Sequence, residues 1–147
     1  GMVAGLGTIT PASGFVGPGG ALVIGVLAGF ICFNATNFIK RKLGIDDSLD
    51  VFPVHGVGGI LGTLLAGIFA SSALGVFSGQ GFASPEITIG SQMLVQATGV
   101  LATMVYTAIV SYVLLKLVGM LVGLRVAPDE ETVGLDLTLH NERGYDL

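Results

Sequence analysis

Three uninterrupted runs of uncharged residues limit what this chain can fold into. No Asp, Glu, Lys or Arg occurs between Gly1 and Ile39, between Val51 and Pro85, or between Ile87 and Leu115. A bilayer crossing takes ~20 mostly apolar residues, and each run is longer than that. Charged residues are 11% of the chain, against roughly 25% in a soluble domain. The implied fold class is an all-α membrane protein, a multi-helix transmembrane bundle. A soluble fold is excluded, and so is disorder, which requires low hydrophobicity. With six basic residues in total, no nucleic-acid-binding surface is expected.

The breaks in the pattern predict the organisation. Gly1–Thr10 reads as the end of a helix, stopped at Thr10-Pro11 because the residue before proline is pushed out of the α region. Pro11–Gly20 reads as a loop, Ala21–Ile39 as a full span and Val51–Leu74 as a second. Gly75–Gly90 reads as a loop. Ser91–Leu124 reads as one long tilted helix, since at 1.5 Å per residue it would outrun a ~30 Å hydrocarbon core. Residues 1–124 thus form the transmembrane region and 125–147 a tail too short to bury a core. Charge divides at the same boundary. Lys40, Arg41, Lys42 and Lys116 balance Asp46, Asp47, Asp50 and Glu86, so the net charge of −4 resides in the tail. The lysine and arginine bias places the 40–50 connection and the tail in the cytoplasm and the 75–90 loop outside. The opening Gly-Met in mid-segment suggests part of a longer or processed protein.

Glycine is abundant, at 24 of 147 residues, against a usual ~7%. Gly25/Gly29 and Gly58/Gly62 each form a GxxxG, which permits close helix packing in lipid. Chemistry-bearing motifs are few. The Gly-rich Phe15–Gly20 stretch lacks the Gly-Lys-Ser/Thr of a phosphate-binding loop. Cys32 is alone, which leaves no disulfide framework or thiolate metal site. No enzyme activity, cofactor or metal is expected.

His55, in Asp50-Val-Phe-Pro-Val-His-Gly-Val-Gly-Gly59, is the exception. It is the only side chain inside a full span that titrates near neutrality. Ionisable groups within a membrane are costly and face an interior or a water-filled cavity. Helical spacing puts Gly58, Gly59 and Gly62 on its stripe, so it is expected on a protein-facing side. Two roles remain open for it, a structural hydrogen bond to a neighbouring helix or a conduction and proton-relay group. Asp47 and Asp50 read as helix N-capping carboxylates. Pro53, tolerated only in a first turn, favours a helix start near Asp50. A start at Asp47 would bury His55 more deeply and require a kink.

The chain resembles the C-terminal part of an ammonium transporter of the Amt/Mep/Rhesus family. The resemblance rests on Gly1–Pro11, Gly19–Gly25, Asp50–Gly59, Val122-Gly-Leu-Arg-Val126 and the tail Gly134-Leu135-Asp136 with His140 and Tyr145. It implies a homotrimer of eleven-helix subunits built from inverted repeats, each with its own hydrophobic pore. This chain would supply the end of helix eight and helices nine to eleven. Ammonium loses a proton at an outer site and ammonia passes a pore lined by two histidines, of which His55 resembles the second. By the same resemblance Val3 and Val51 line the pore. Asp47 aligns with the repeat-related partner of a structural aspartate. The tail residues form a regulatory segment, with a PII-type nitrogen signalling protein as a cytoplasmic partner. The protein would sit in the cell membrane with its C-terminus inside. Where the family tail commonly reads His-Gly-Glu-x-Ala-Tyr, this one reads His140-Asn-Glu-Arg-Gly-Tyr145. The implied function is ammonium/ammonia transport, the alternatives being a neutral-gas channel of Rhesus type or an ammonium sensor. The sensor is the less favoured alternative, because the tail as far as Leu147 carries no signalling module of the kind a sensor would use.

Overall fold

A computed structural model describes residues 1–145; Asp146 and Leu147 of the acidic tail lie outside the described residues. Those residues are helical without strands, in the order α1 (Met2–Ile9), α2 (Pro18–Asn37), α3 (Gly58–Phe69), α4 (Ile89–Leu121), α5 (Pro128–Val133) and α6 (Leu135–His140). Three helical stretches are long and apolar enough to cross a membrane: Pro18–Lys42, Phe52–Phe69 and Ile89–Leu121. The chain forms two compact units that divide between Thr103 and Met104.

Within the first unit, α1, α2 and α3 pack on one another around Ala12, Ile24 and Ala66, with Ile9, Val16, Leu65 and Phe69 alongside. The face that α2 buries is Gly20, Ile24, Ala28 and Cys32, one residue per turn. That stripe is not the Gly25/Gly29 pair, around which a Cβ would meet nothing within 4 Å. The other glycine pair does pack. A Cβ on Gly58 would meet Thr8 Oγ1 at 2.8 Å and Cys32 Sγ at 3.4 Å, and one on Gly62 would press into the Thr8 backbone carbonyl. Backbone therefore approaches backbone where α1 crosses α3, which only glycine permits.

Several helix ends differ from the sequence reading, each for a local reason. The α1 chain continues past Ile9 through a 3-10 turn at Thr10–Ala12 that absorbs Pro11. Helix α2 starts earlier than Ala21, with Pro18 in its first turn after Gly17, where a missing N–H costs nothing. It continues beyond Asn37 as a π-helical turn over Phe38–Lys42, closed by Leu43 N donating to Phe38 O at 3.1 Å. Helix α3 stops at Phe69 rather than Leu74. The carbonyls of Ala70 and Ser71 accept from Gly81 and Gly79 instead, at 2.7 and 2.8 Å, and so tie down the 75–84 loop. Helix α4 begins at Ile89 because Thr88 and Ser91 cap it reciprocally. Ser91 N donates to Thr88 Oγ1 at 3.1 Å and Thr88 N to Ser91 Oγ at 3.0 Å. It ends at Leu121, before Gly123 at φ +76, a conformation that favours glycine after a helix.

The second unit comprises the end of α4 and the tail. Lys116 Nζ sits 5.6 Å from the Tyr112 ring centroid, a cation–π contact. The tail folds into two short helices. Helices α5 and α6 are separated by Gly134 at φ +104.

Candidate functional site

His55 lies on a π-helical turn, Phe52–Val57, that leads directly into α3. The turn's start is built by carboxylates. Asp47 accepts from Val51 N at 2.9 Å through Oδ1 and from Phe52 N at 2.8 Å through Oδ2. Charge-assisted bonds of this kind satisfy N–H groups that a helix start leaves unpaired. Pro53, the next residue, is fully buried and brings no further donor to satisfy. Asp50 adopts φ +56 and its carbonyl accepts from Val54 N at 3.0 Å. Its carboxylate turns to Lys40, with Oδ1 2.7 Å from Nζ. The helix does start just after Asp50, but only Asp47 caps it with its side chain. Asp50 instead joins the start of α3 to the end of α2.

The π-helical turn alters the expected face of His55. A continuous α-helix would align His55 with Gly58 and Gly62. The wider turn holds more residues per revolution and rotates the imidazole off that stripe. Gly58 and Gly62 face α1, Gly59 faces open space, and His55 is exposed among the described residues rather than packed. Its Nδ1 lies 3.9 Å from the position a Cβ would take on Gly7 of α1. Phe52 folds back along the same turn, its ring occupying the space a Gly56 side chain would need.

The two residues that the resemblance puts in a pore wall, Val3 and Val51, lie on α1 and at the start of the His55 turn. Val3 and Gly7 are one helical turn apart on one face of α1, and Val51 immediately precedes the π-helical turn that carries His55. Val3 is 56% exposed and Val51 52%. The two elements meet where Gly7 faces the Val54–His55 edge of the turn. At that meeting point the imidazole is the one side chain named that can both donate and accept a hydrogen bond. No cluster of three or more His, Cys, Asp and Glu side chains exists among the described residues, so they contain no metal-ligand set. A separate cavity of about 480 Å³ opens among Ser71, Ser72, Gln80, Ser84 and Thr88. None of its lining groups titrates, so it offers no proton transfer.

In the tail, Arg125 grips Glu131 in a fork, Nε to Oε1 at 2.5 Å and Nη2 to Oε2 at 3.0 Å. The guanidinium holds the Glu131 carboxyl below the ordinary glutamate range. Glu130 accepts from Ala127 N at 3.0 Å at the start of α5. Gly134 is the hinge between α5 and α6, and Leu135, Asp136 and His140 lie on α6. Tyr145 is exposed. Sequence reasoning did not reach Gly7, the Lys40–Asp50 pair or the Thr8–Cys32–Gly58 junction. Each depends on which residues of distant segments meet, for which the local sequence carries no signal.

Fold and site together define a polytopic helical membrane protein with one imidazole in an otherwise apolar span. The Ammonium Transporter Family model matches residues 1–145. The chain belongs to that family. A putative ammonium transporter of Methanothermobacter thermautotrophicus is 46% identical over all of this chain and 36% of its own length. The ammonium transporter of Aquifex aeolicus is 44% identical over all of this chain and 33% of its length. That of Bacillus subtilis is 39% identical over 99% of this chain and 35% of its length. The chain thus spans about a third of the length of these relatives.

Proposed function

We propose that the protein carries ammonium across a membrane as ammonia along an apolar path, with His55 as one of a pair of pore histidines. The observation that carries this reading is the approach of His55, the imidazole of an apolar span, to Gly7 of α1. Exposed Val3 and Val51 lie on the same two elements, within a family whose curated relatives are named ammonium transporters. In this reading Val3 and Val51 form the apolar wall, which admits a neutral solute and excludes a hydrated cation. Asp47 and Asp50 hold the turn that presents His55. The imidazole donates or accepts one hydrogen bond and passes on the proton that ammonium leaves behind.

The surrounding arrangement follows from the same reading. The protein sits in the cell membrane as a homotrimer, with Lys40–Lys42 and the tail on the cytoplasmic side. Gly134, Leu135, Asp136, His140 and Tyr145 form a regulatory segment open to a PII-type signalling protein. The test is a pair of recordings on proteoliposomes of the complete protein given an inward ammonium gradient. Current together with uptake supports ammonium transport. Internal alkalinisation without current would instead favour a neutral-gas channel, and neither response would favour a sensor.

A further inference from the structure

We propose that Gly7 is a positioning residue for His55. Its missing side chain leaves room for the imidazole and keeps the Nδ1 edge of the ring open to a small hydrogen-bonding partner. The inference rests on the transport reading given above, and it adds a residue from a different helix.

The argument is one of space. A Cβ on Gly7 would stand 3.9 Å from His55 Nδ1 and 3.9 Å from the Val54 carbonyl oxygen, with no other heavy atom nearer. That distance is ordinary van der Waals contact, so a methyl group just fits. A γ atom lies a further ~1.5 Å out, about one C–C bond. Directed at the ring, it would fall well inside contact distance of Nδ1. Valine carries two such atoms with little freedom to turn them aside in a helix. The imidazole would have to yield, because the turn beneath it is held by the Asp47 bonds and by buried Pro53. Conformation is not the reason for glycine here. Gly7 is helical, without the left-handed φ of Gly14 or Gly44, and alanine is the better helix former. Nor does Gly7 serve the backbone contact of α1 with α3, which falls at Thr8 against Gly58 and Gly62. What Gly7 faces is the Val54–His55 edge of the π-helical turn.

The test uses the complete protein in proteoliposomes. Gly7→Ala is expected to keep wild-type ammonium-evoked current. Gly7→Val is expected to assemble normally and to lose current on the order of tenfold, as misplacement of a reacting group does. A second measurement needs no flux. In a Cys32→Ala background, Gly7→Cys puts a thiol within reach of Nδ1, and Zn²⁺ bridges thiolate and imidazole at about 2.3 and 2.0 Å. Zn²⁺ should then shield the introduced thiol from a maleimide, and adding His55→Gln should abolish the shielding. Wild-type current in Gly7→Val would overturn the proposal. So would shielding that is absent or indifferent to His55, and this arm decides alone if Gly7→Val fails to assemble. Unchanged current in His55→Gln alongside intact His55-dependent shielding would sink the relay role of His55 while leaving the Gly7–His55 juxtaposition in place, and no current or uptake in the wild type would sink the transport reading itself.

Discussion

Replacing Gly62 with alanine tests the packing that supports the site. The new Cβ would lie against the Thr8 carbonyl oxygen and carbon, which are backbone atoms that cannot swing aside. Reaching ordinary contact requires α1 and α3 to separate by about 1.5 Å at their crossing. A gap of even 0.5–1 Å forfeits a quarter to a half of the dispersion well for every atom pair across it. The separation would also open the neighbouring junction of Thr8, Cys32 and Gly58. Overpacking typically costs 1–3 kcal/mol. With backbone on one side, Gly62→Ala belongs at the upper end, about 3 kcal/mol, or several degrees of melting temperature. The assay is loss of the monodisperse protein on heating in detergent, with Gly59→Ala as control, since a Cβ there meets nothing within 4 Å. Gly62→Ala melting alongside Gly59→Ala would refute the reasoning.

Three other outcomes are expected. Asp47→Ala removes both carboxylate bonds at the start of the His55 turn, costing about 1–2 kcal/mol; thermal stability and uptake should fall together, with Asp47→Asn in between. The Glu131 carboxyl titrates below its ordinary range in the folded tail. Its contribution is therefore full above the ordinary glutamate value of about 4.3 and is lost as pH falls through the lowered folded value. Limited proteolysis should cut the tail faster on acidification, and Glu131→Gln should show the faster cutting already at neutral pH. In a Cys32→Ala background, a membrane-impermeant thiol reagent added outside should label Ser78→Cys and spare Thr138→Cys; equal labelling would overturn the orientation.

The spans and the imidazole were legible because each leaves a one-dimensional trace. Uncharged runs mark Pro18–Lys42, Phe52–Phe69 and Ile89–Leu121, and a single histidine stands out within them. The packing stripe of α2 was not legible. Gly25 and Gly29 form the familiar motif, yet Gly20, Ile24, Ala28 and Cys32 face the partner helices. In lipid almost every face of a helix is apolar, so hydrophobic periodicity no longer says which side is inside. The register of His55 relative to Gly58 and Gly62 was not legible for a related reason. Projection on an α-helix assumes 3.6 residues per turn, and the Phe52–Val57 turn does not obey it. The two aspartates were read correctly as belonging to a helix start, but their division of labour depends on Lys40, ten residues back and on another helix. Gly123 and Gly134 entered only through the family resemblance; nothing in the sequence said that their positive φ values would end α4 and separate α5 from α6.

The most direct test of His55 as a proton relay is ammonium-evoked current in proteoliposomes of the complete protein, recorded beside uptake of neutral ammonia, for wild type and His55→Gln. Glutamine keeps a donor and an acceptor and should leave assembly intact, but it cannot carry the proton. The expected result is a sharp fall in current while ammonia still passes. A His55→Gln protein with wild-type current would contradict the relay and leave His55 a structural residue on the turn that Asp47 caps.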